Sequence, residues 1–395
     1  MKKAVFALVA GAIALSLVGA CTAKTGPTGS GGATVKAPIK IGAILSLTGS
    51  YAGLGASEKN SLDMEAKRVN AAGGADGRQI EVIIEDDATD PKAAVAAVTK
   101  LVDKDKVVAI LGATGTGSTM AIRTDAGRAG VPIVSMAGGS VVTADFDKNT
   151  FQTPWPNGLV VSFTISALKK AGITKIGLIS SSDGYGKDGH DVTVAQAKKS
   201  GIQIVADETF NPGDTDMTAQ LTKIKAKAPQ AIWLWNAGKE AAIVAKNLRQ
   251  IDPKAAIKLY GAPGDARQEF ITGAGDAAEG FRFAAGKILL PQTYGAGTAA
   301  YKVATDFVAR YKAAYGASPD IFAGHASDAL AITVDALKRA GATADGAKLR
   351  DAIEQTKGLI GIGGTFTYTP TDHNGLTESD LVMYEIRNGA WTLAQ

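Results

Sequence analysis

From residue 39 onward, short apolar runs alternate with longer stretches whose apolar positions recur every three or four residues. Lys40–Leu45, Gln79–Glu85, Val107–Leu111 and Pro132–Met136 read as strands. Ser57–Asn70, Ala93–Asp103 and a segment from about Ser118 to Gly130 read as helices, the first closed by the cap Ala71-Ala72-Gly73-Gly74. Ser46–Gly55 is a glycine-punctuated loop, and Asp86–Pro91 turns the chain into its second helix. Regular alternation of strand and helix predicts a parallel sheet covered on both faces, an α/β fold.

The pattern then repeats. Lys40-Ile41-Gly42 returns as Lys175-Ile176-Gly177, followed by a loop over Ser180–Gly189. Gln79–Glu85 is matched by Ile202–Ala206, Thr89-Asp90 by Thr215-Asp216, Val107–Leu111 by Ala231–Trp235, and Pro132–Met136 by Ile257–Gly261. Two tandem copies of one module predict two similar lobes. Asn149–Gly158 and Gly280–Gly286 hold equivalent places after each copy and read as crossovers, with the helix Leu159–Ala171 opening copy two. Three late helices, Tyr301–Tyr315, Ala326–Ala340 and Ala347–Thr356, and a closing set of strands and a hairpin over Gly361–Trp391 predict three passages between lobes. The lobes are expected to be residues 39–155 with 287–360, and 156–286 with 361–395.

Candidate chemistry gathers between Val107 and Ser140. A strand that runs through Gly112–Gly117 into a helix leaves backbone N–H groups unpaired at the helix start, a seat for an anion. Thr116 and Ser118 stand at that start. After the next strand, Ala137, Gly138 and Gly139 let a ligand approach the main chain closely.

Length and composition narrow the class. At 395 residues, with 46% hydrophobic, 20% charged and 6% aromatic residues, the chain is an Ala- and Gly-rich α/β protein of two or so domains. One cysteine excludes an internal disulfide framework. Residues 1–20 read as a signal peptide: Lys2 and Lys3, the apolar Ala4–Leu17, then Val18-Gly19-Ala20 before Cys21. A cysteine at that point looks like a lipobox, whose thiol is diacylated after cleavage, and Thr22–Pro38 reads as a flexible tether. Removing Lys2 and Lys3 from the 42 basic residues leaves 40 against 38 acidic ones, no basis for binding nucleic acid. No later apolar run approaches the ~20 residues that span a bilayer. The expected mature chain is exported, monomeric and held to a membrane by lipid alone.

The chain resembles the solute-binding lipoproteins of ABC importers, in the branch that carries leucine, isoleucine and valine, amides or aromatic acids. The resemblance rests on LTGSYAGLG (Leu47–Gly55), DDATDP (Asp86–Pro91), LGATGTGST, DGYG (Asp183–Gly186), FAGHASDAL (Phe322–Leu330) and TDHNG (Thr371–Gly375), in that order from Ile39 to the C-terminus. It implies a two-lobed clamp of the type I periplasmic-binding-protein fold, closing on a ligand by hinge motion and presenting it to permease subunits with their ATPases. It further implies that Thr116 and Ala137–Gly139 hold a ligand carboxylate, that Tyr185 closes over the ligand from lobe two, and that Leu54 walls the pocket. Members that bind α-amino acids pair the ammonium with an acidic residue where this chain has Pro263. Asp265 is the candidate substitute; without one, the ligand is a carboxylate lacking an ammonium, such as an aromatic or hydroxylated acid.

Other functions find less support. Gly112–Gly117 resembles the fingerprint of short-chain reductases, but it follows the third strand of its module, and the next strand ends in Met136-Ala137 without a ribose-binding acid. No cofactor is expected. Asp86, Asp87 and Asp90 lack the spacing of a calcium loop and read as turn and cap residues, so no metal is expected. Of three histidines, His190 reads as a surface residue and His373 as part of a turn; His325, opening a helix after Gly324, fits either ligand contact or a structural role at the helix start. Trp233 and Trp235 alternate along a strand as core, whereas Asn236 and Gly238, just past its end, are cleft candidates, because ligands bind outside the carboxyl ends of parallel strands. A sensor docking on a membrane receptor remains a further alternative.

Overall fold

The computed structural model describes residues 37–341 and 345–394. Cys21, the leader before it and all but the last two residues of the tether lie outside the described residues. Within them, the two sequence copies become two sheets with one strand order. The first sheet contains β1 (Ile39–Leu45), β2 (Ile80–Asp86), β3 (Ile110–Gly112), β4 (Ile133–Ser135) and β5 (Thr150–Gln152), all parallel, in the order β2-β1-β3-β4-β5. The second contains β6 (Lys175–Ser181), β7 (Gln203–Phe210), β8 (Ala231–Trp235), β9 (Lys258–Gly261) and β10 (Arg282–Gly286) in the matching order β7-β6-β8-β9-β10. The stretches read as crossovers thus each supply a short strand: β5, the edge of the first sheet, and β10, which lies inside the second.

Both sheets are covered on both faces, and β1 shows why. Successive side chains in a strand point to opposite faces; Ile41, Ala43 and Leu45 enter one apolar cluster, and Ile44 joins Ile110 and Ile133 in the other. Helices α1 (Ala52–Ala71), α2 (Pro91–Thr99), α3 (Thr116–Arg128) and the single turn α4 (Val141–Ala144) serve the first sheet. Helices α5 (Asn157–Lys170), α6 (Gly184–Ser200), α7 (Thr218–Lys225), α8 (Glu240–Ile251) and α9 (Gln268–Ala274) serve the second.

After β10 the chain returns to the first lobe through α10 (Ala299–Tyr315), α11 (Ile321–Ala340) and α12 (Gly346–Glu354); α11 packs on α1, β3 and β4. A small ribbon, β11 (Leu359–Ile360) and β12 (Thr365–Phe366), precedes the hairpin β13 (Leu381–Arg387) and β14 (Ala390–Leu393), which extends the second sheet antiparallel to β10. The chain therefore passes between lobes three times.

Several helix starts differ from the sequence reading: α11 begins at Ile321 instead of Ala326, so His325 lies in its second turn and does not open it, and two other starts differ for one physical reason. Helix α1 begins at Ala52 and α6 at Gly184, inside stretches whose glycines suggest loops. There the glycines permit close packing: a Cβ on Gly55 would lie 2.2 Å from the Ser46 carbonyl oxygen, and one on Gly186 2.2 Å from that of Ser181. The helix after β3 likewise begins at Thr116 instead of near Ser118. Asp86, Asp87 and Asp90 act as turn and cap groups. Asp86 accepts from the backbone N–H of Leu47, Thr48 and Ala88, Asp87 from the Ser46 hydroxyl at 2.6 Å, and Asp90 caps α2 through the Lys92 N–H at 2.8 Å.

His373 is more than a turn residue. Its ring is buried, stacks on Phe151 at 4.1 Å and meets the Thr150 carbonyl through Nδ1 at 2.9 Å, while Asn374 Nδ2 donates to the Pro154 carbonyl at 2.7 Å. The TDHNG segment thereby braces the first crossover at β5. His190 lies on α6 with its ring between Asp191 and Asp207.

Candidate functional site

The carboxyl ends of both sheets face one narrow cavity. The first lobe contributes most of its wall: Tyr51 and Leu54 at the start of α1, Thr114, Gly115 and Thr116 at the start of α3, Met136 and Gly138 after β4, Pro154 and Trp155 after β5, and Ile321, Phe322 and His325 of α11. The second lobe closes it with Tyr185 of α6, Ala237 after β8, and Pro263 and Gly264 after β9. No Asp, Glu, Lys or Arg is among these lining residues. Such a cavity binds through backbone dipoles, hydroxyls and aromatic surface.

Its polar end is the start of α3. That helix has 13 residues, Gly115 is its extended N-cap, and no side chain caps it, so its first-turn N–H groups and dipole favour an anion. Thr116 Oγ1 accepts from the Gly139 N–H at 3.2 Å, which leaves the hydroxyl proton as a donor toward a ligand. Below it, Thr114 is fixed: its hydroxyl donates to Glu58 Oε2 and accepts from the Ser46 N–H at 3.0 Å. Burial pushes the Glu58 carboxyl well above its ordinary range.

The opposite end is aromatic. Trp155 anchors its indole N–H on the Gly363 carbonyl at 3.0 Å and meets the His325 ring edge-on at 5.0 Å; Phe322 meets the same ring at 6.2 Å. Asp320 caps α11 through the Ala323 N–H at 2.9 Å and accepts from the Ser57 hydroxyl at 2.7 Å, tying the start of α11 to α1. His325 is 2% exposed, and burial pulls its imidazole down to about 3, so it is neutral at physiological pH.

Contacts across the mouth hold the lobes together. The Tyr51 hydroxyl donates to Asp183 Oδ2 at 2.7 Å, while Asp183 Oδ1 caps α6 through the Gly186 N–H at 2.8 Å. Asp188, also on α6, accepts from the N–H groups of Ser140 and Val141 at 2.8 and 3.0 Å and from Asn157 Nδ2 at 2.8 Å. Tyr185 is buried, stands edge-on to Trp235 at 5.8 Å, and approaches so near that a Cβ on Gly138 would lie 3.2 Å from its ring.

Of the residues singled out from the sequence, Leu54, Thr116, Gly138, Tyr185 and His325 meet at this cavity. The others do not line it. Ser118 is buried in the first turn of α3. The Ala137 and Gly139 carbonyls accept from Gln152 Nε2 at 2.7 and 2.9 Å, which turns them into the lobe. Asn236 donates from Nδ2 to the Gly238 carbonyl at 3.0 Å, closing its own loop. Asp265 folds back onto the Ala262 N–H at 3.3 Å, and its carboxyl, pushed well up by burial, borders a separate interlobe cavity with Gly238 and Arg267. Tyr51, Met136, Trp155, Ala237, Gly264 and Phe322 also line the cavity with no signal in the sequence that singles them out, although Tyr51 lies inside LTGSYAGLG and Phe322 inside FAGHASDAL. Trp233 and Trp235 are buried core, as expected.

Two lobes of duplicated topology thus enclose one cavity between the carboxyl ends of their sheets. The comparisons place the chain: the periplasmic binding protein family matches residues 38–390, and the chain belongs to that family. It is therefore an extracytoplasmic solute-binding protein. It is 27% identical over 337 residues to a Leu/Ile/Val-binding protein homolog 3 from Brucella melitensis, covering 85% of this chain and 88% of that one. An extracellular ligand-binding receptor from Rhodopseudomonas palustris HaA2 superposes with a TM-score of 0.84 at 30% identity, over 91% of this chain and all of the other. The branched-chain amino acid transporter substrate binding protein LivJ from Streptococcus pneumoniae, in complex with isoleucine, superposes with a TM-score of 0.79 at 27% identity, over 91% and 99%.

Proposed function

We propose that this chain is the capture component of an ABC importer for a small carboxylate with an apolar body, without enzymatic activity or cofactor of its own. The observation that carries the reading is the uncapped start of α3, with the Thr116 hydroxyl beside it, opening into a cavity otherwise walled by apolar and aromatic groups. The carboxylate sits at α3, the body between Leu54, Met136 and Trp155, and Tyr185 closes from the second lobe. A ligand that touches both lobes binds the closed form better than the open one and shifts the population toward it; permease subunits recognise the closed form. The chain works as a monomer of two lobes, residues 39–155 with 287–360 and 156–286 with 361–395, exported and tethered to a membrane through a lipid on Cys21.

Branched-chain or other hydrophobic amino acids belong to this ligand class, and the names of the Brucella and Streptococcus relatives support them. A second reading, an acid without an ammonium, is favoured by the lining itself. It has no carboxylate, and Asp265 turns to its own loop. An ammonium buried without a counter-charge is costly. Calorimetric titration of residues 37–395 with leucine, isoleucine and valine against matched acids lacking the amine decides between them. Binding of neither set removes the carboxylate reading.

A further inference from the structure

The three histidines differ in one respect. His190 and His373 each hold polar partners on both ring nitrogens. The ring of His325 has none among the described residues: outside the helix's own backbone ladder, its hydrogen bond is through the backbone carbonyl, which accepts from the Thr153 hydroxyl at 3.2 Å, and its Nδ1 is buried without a partner. Yet the ring is almost fully buried and lines the ligand cavity. A buried polar group without a hydrogen bond is destabilising, and native proteins keep such groups where something satisfies them. The aromatic edges of Trp155 and Phe322 fix this ring without using its nitrogens. Its hydrogen-bonding capacity is left to whatever the cavity holds.

Resting on the carboxylate reading above, we infer that His325 is a specificity-determining residue that hydrogen-bonds an uncharged hydroxyl on the apolar or aromatic body of the ligand. The carboxylate and the hydroxyl are then read by different elements, α3 and α11. A neutral imidazole nitrogen donates or accepts according to its tautomer, and a hydroxyl can answer either role. It offers no charge, so a second carboxylate or an ammonium at this end is left uncompensated. The aromatic groups Trp155 and Phe322, which line the cavity beside it, suit a ligand with an aromatic ring.

The experiment is calorimetric titration at pH 7 with matched pairs, 4-hydroxyphenylacetate against phenylacetate and 4-hydroxybenzoate against benzoate, on the wild-type chain, His325→Phe and His325→Gln. The expected result is a wild-type preference of about 10- to 100-fold for the hydroxylated member of at least one pair. That ratio falls to near one in His325→Phe and survives in part in His325→Gln. Should His325→Phe fail to fold, the wild-type imidazole nitrogen resonances of His325 provide the same answer: they shift on adding the hydroxylated acid and not its partner. Equal affinities within both pairs, or a preference that His325→Phe leaves intact, overturn the inference while leaving the carboxylate reading standing. Tight binding of leucine that no His325 substitution alters does the same. If the wild type binds no carboxylate at all, the carboxylate reading itself falls, and this inference with it.

Discussion

The hydroxyl of Tyr51 donates a 2.7 Å hydrogen bond to the carboxylate of Asp183 across the mouth of the cleft. Tyr51 is the residue before α1 in the first lobe, and Asp183 is the N-cap of α6 in the second. This bond exists only when the lobes are together, so it adds to the closed state and nothing to the open one. Burial and the neighbouring Asp183 carboxylate both raise the phenol's pKa well above its ordinary value, which keeps it a donor. Tyr51→Phe removes the donor and leaves the ring. Loss of one such bond, worth about 0.5–1.5 kcal/mol, raises the ligand Kd by roughly 2- to 10-fold. The melting temperature of the ligand-free protein should hardly move. Calorimetry and thermal melting together check both halves; an unchanged Kd removes this pair from the closing equilibrium.

Thr116→Ala tests the anion seat directly. The hydroxyl already accepts from Gly139 and is left to donate to a ligand carboxylate. Its removal should weaken binding by about 1–3 kcal/mol, and Thr116→Ser should recover most of the loss. If alanine binds as tightly as threonine, the carboxylate is held elsewhere.

The pH dependence of stability isolates His325. Its folded-state pKa is about 3, far below the value near 6.5 of the same group when exposed, because burial opposes the charged ring. Above pH 6.5 both folded and unfolded chains carry it neutral, and it contributes no slope. As pH falls below 6.5 the unfolded chain takes up a proton that the folded chain refuses, so stability is lost at about 1.4 kcal/mol per pH unit, down to about pH 3. Between pH 7 and pH 5, wild type with its cleft closed by saturating ligand should therefore lose about 2 kcal/mol more than His325→Gln in denaturant unfolding. Parallel losses in the two proteins show that the ring is not buried neutral.

Much of the fold is legible in the pattern of the chain because it is written twice. Lys40-Ile41-Gly42 and Lys175-Ile176-Gly177 open the corresponding strands β1 and β6, and everything between follows in the same order. That the start of α3 lines the cavity was legible for a related reason: a strand that passes through glycines into a helix leaves that helix's first turn at the carboxyl end of the sheet. The second lobe's wall was read one residue off. Asn236, Gly238 and Asp265 carry the chemistry or freedom that draws attention, but the cavity is lined by Ala237 and Gly264 beside them. Short polar side chains past a strand end bond to their own loop, as Asn236 and Asp265 do. The small residues beside them, Ala237 and Gly264, are then left to face the cavity. Trp155 was hidden differently, in a turn-rich crossover, and only its contact with α11 makes it a wall.

Gly184 allows closure to be separated from folding. It is the first residue of α6, and a Cβ there would lie 2.8 Å from the Gly117 nitrogen and 2.9 Å from its Cα, backbone of α3 in the opposite lobe. These atoms are neighbours only because the cleft is shut. In an open form the added methyl faces solvent, and alanine at a helix start costs the backbone less entropy than glycine. Gly184→Ala should therefore leave the ligand-free melting temperature unchanged or slightly higher. It should also raise the ligand Kd by about 10-fold or more, because α6 can no longer reach α3 without displacing main chain. The two effects have opposite sign, which no general loss of structure produces. Small-angle scattering supplies the geometric check: with saturating ligand, the variant should keep a larger radius of gyration than wild type. A variant that closes to the wild-type radius and binds with wild-type affinity would show that the lobes have room to spare at this contact, and that Gly184 owes its place to something other than closure.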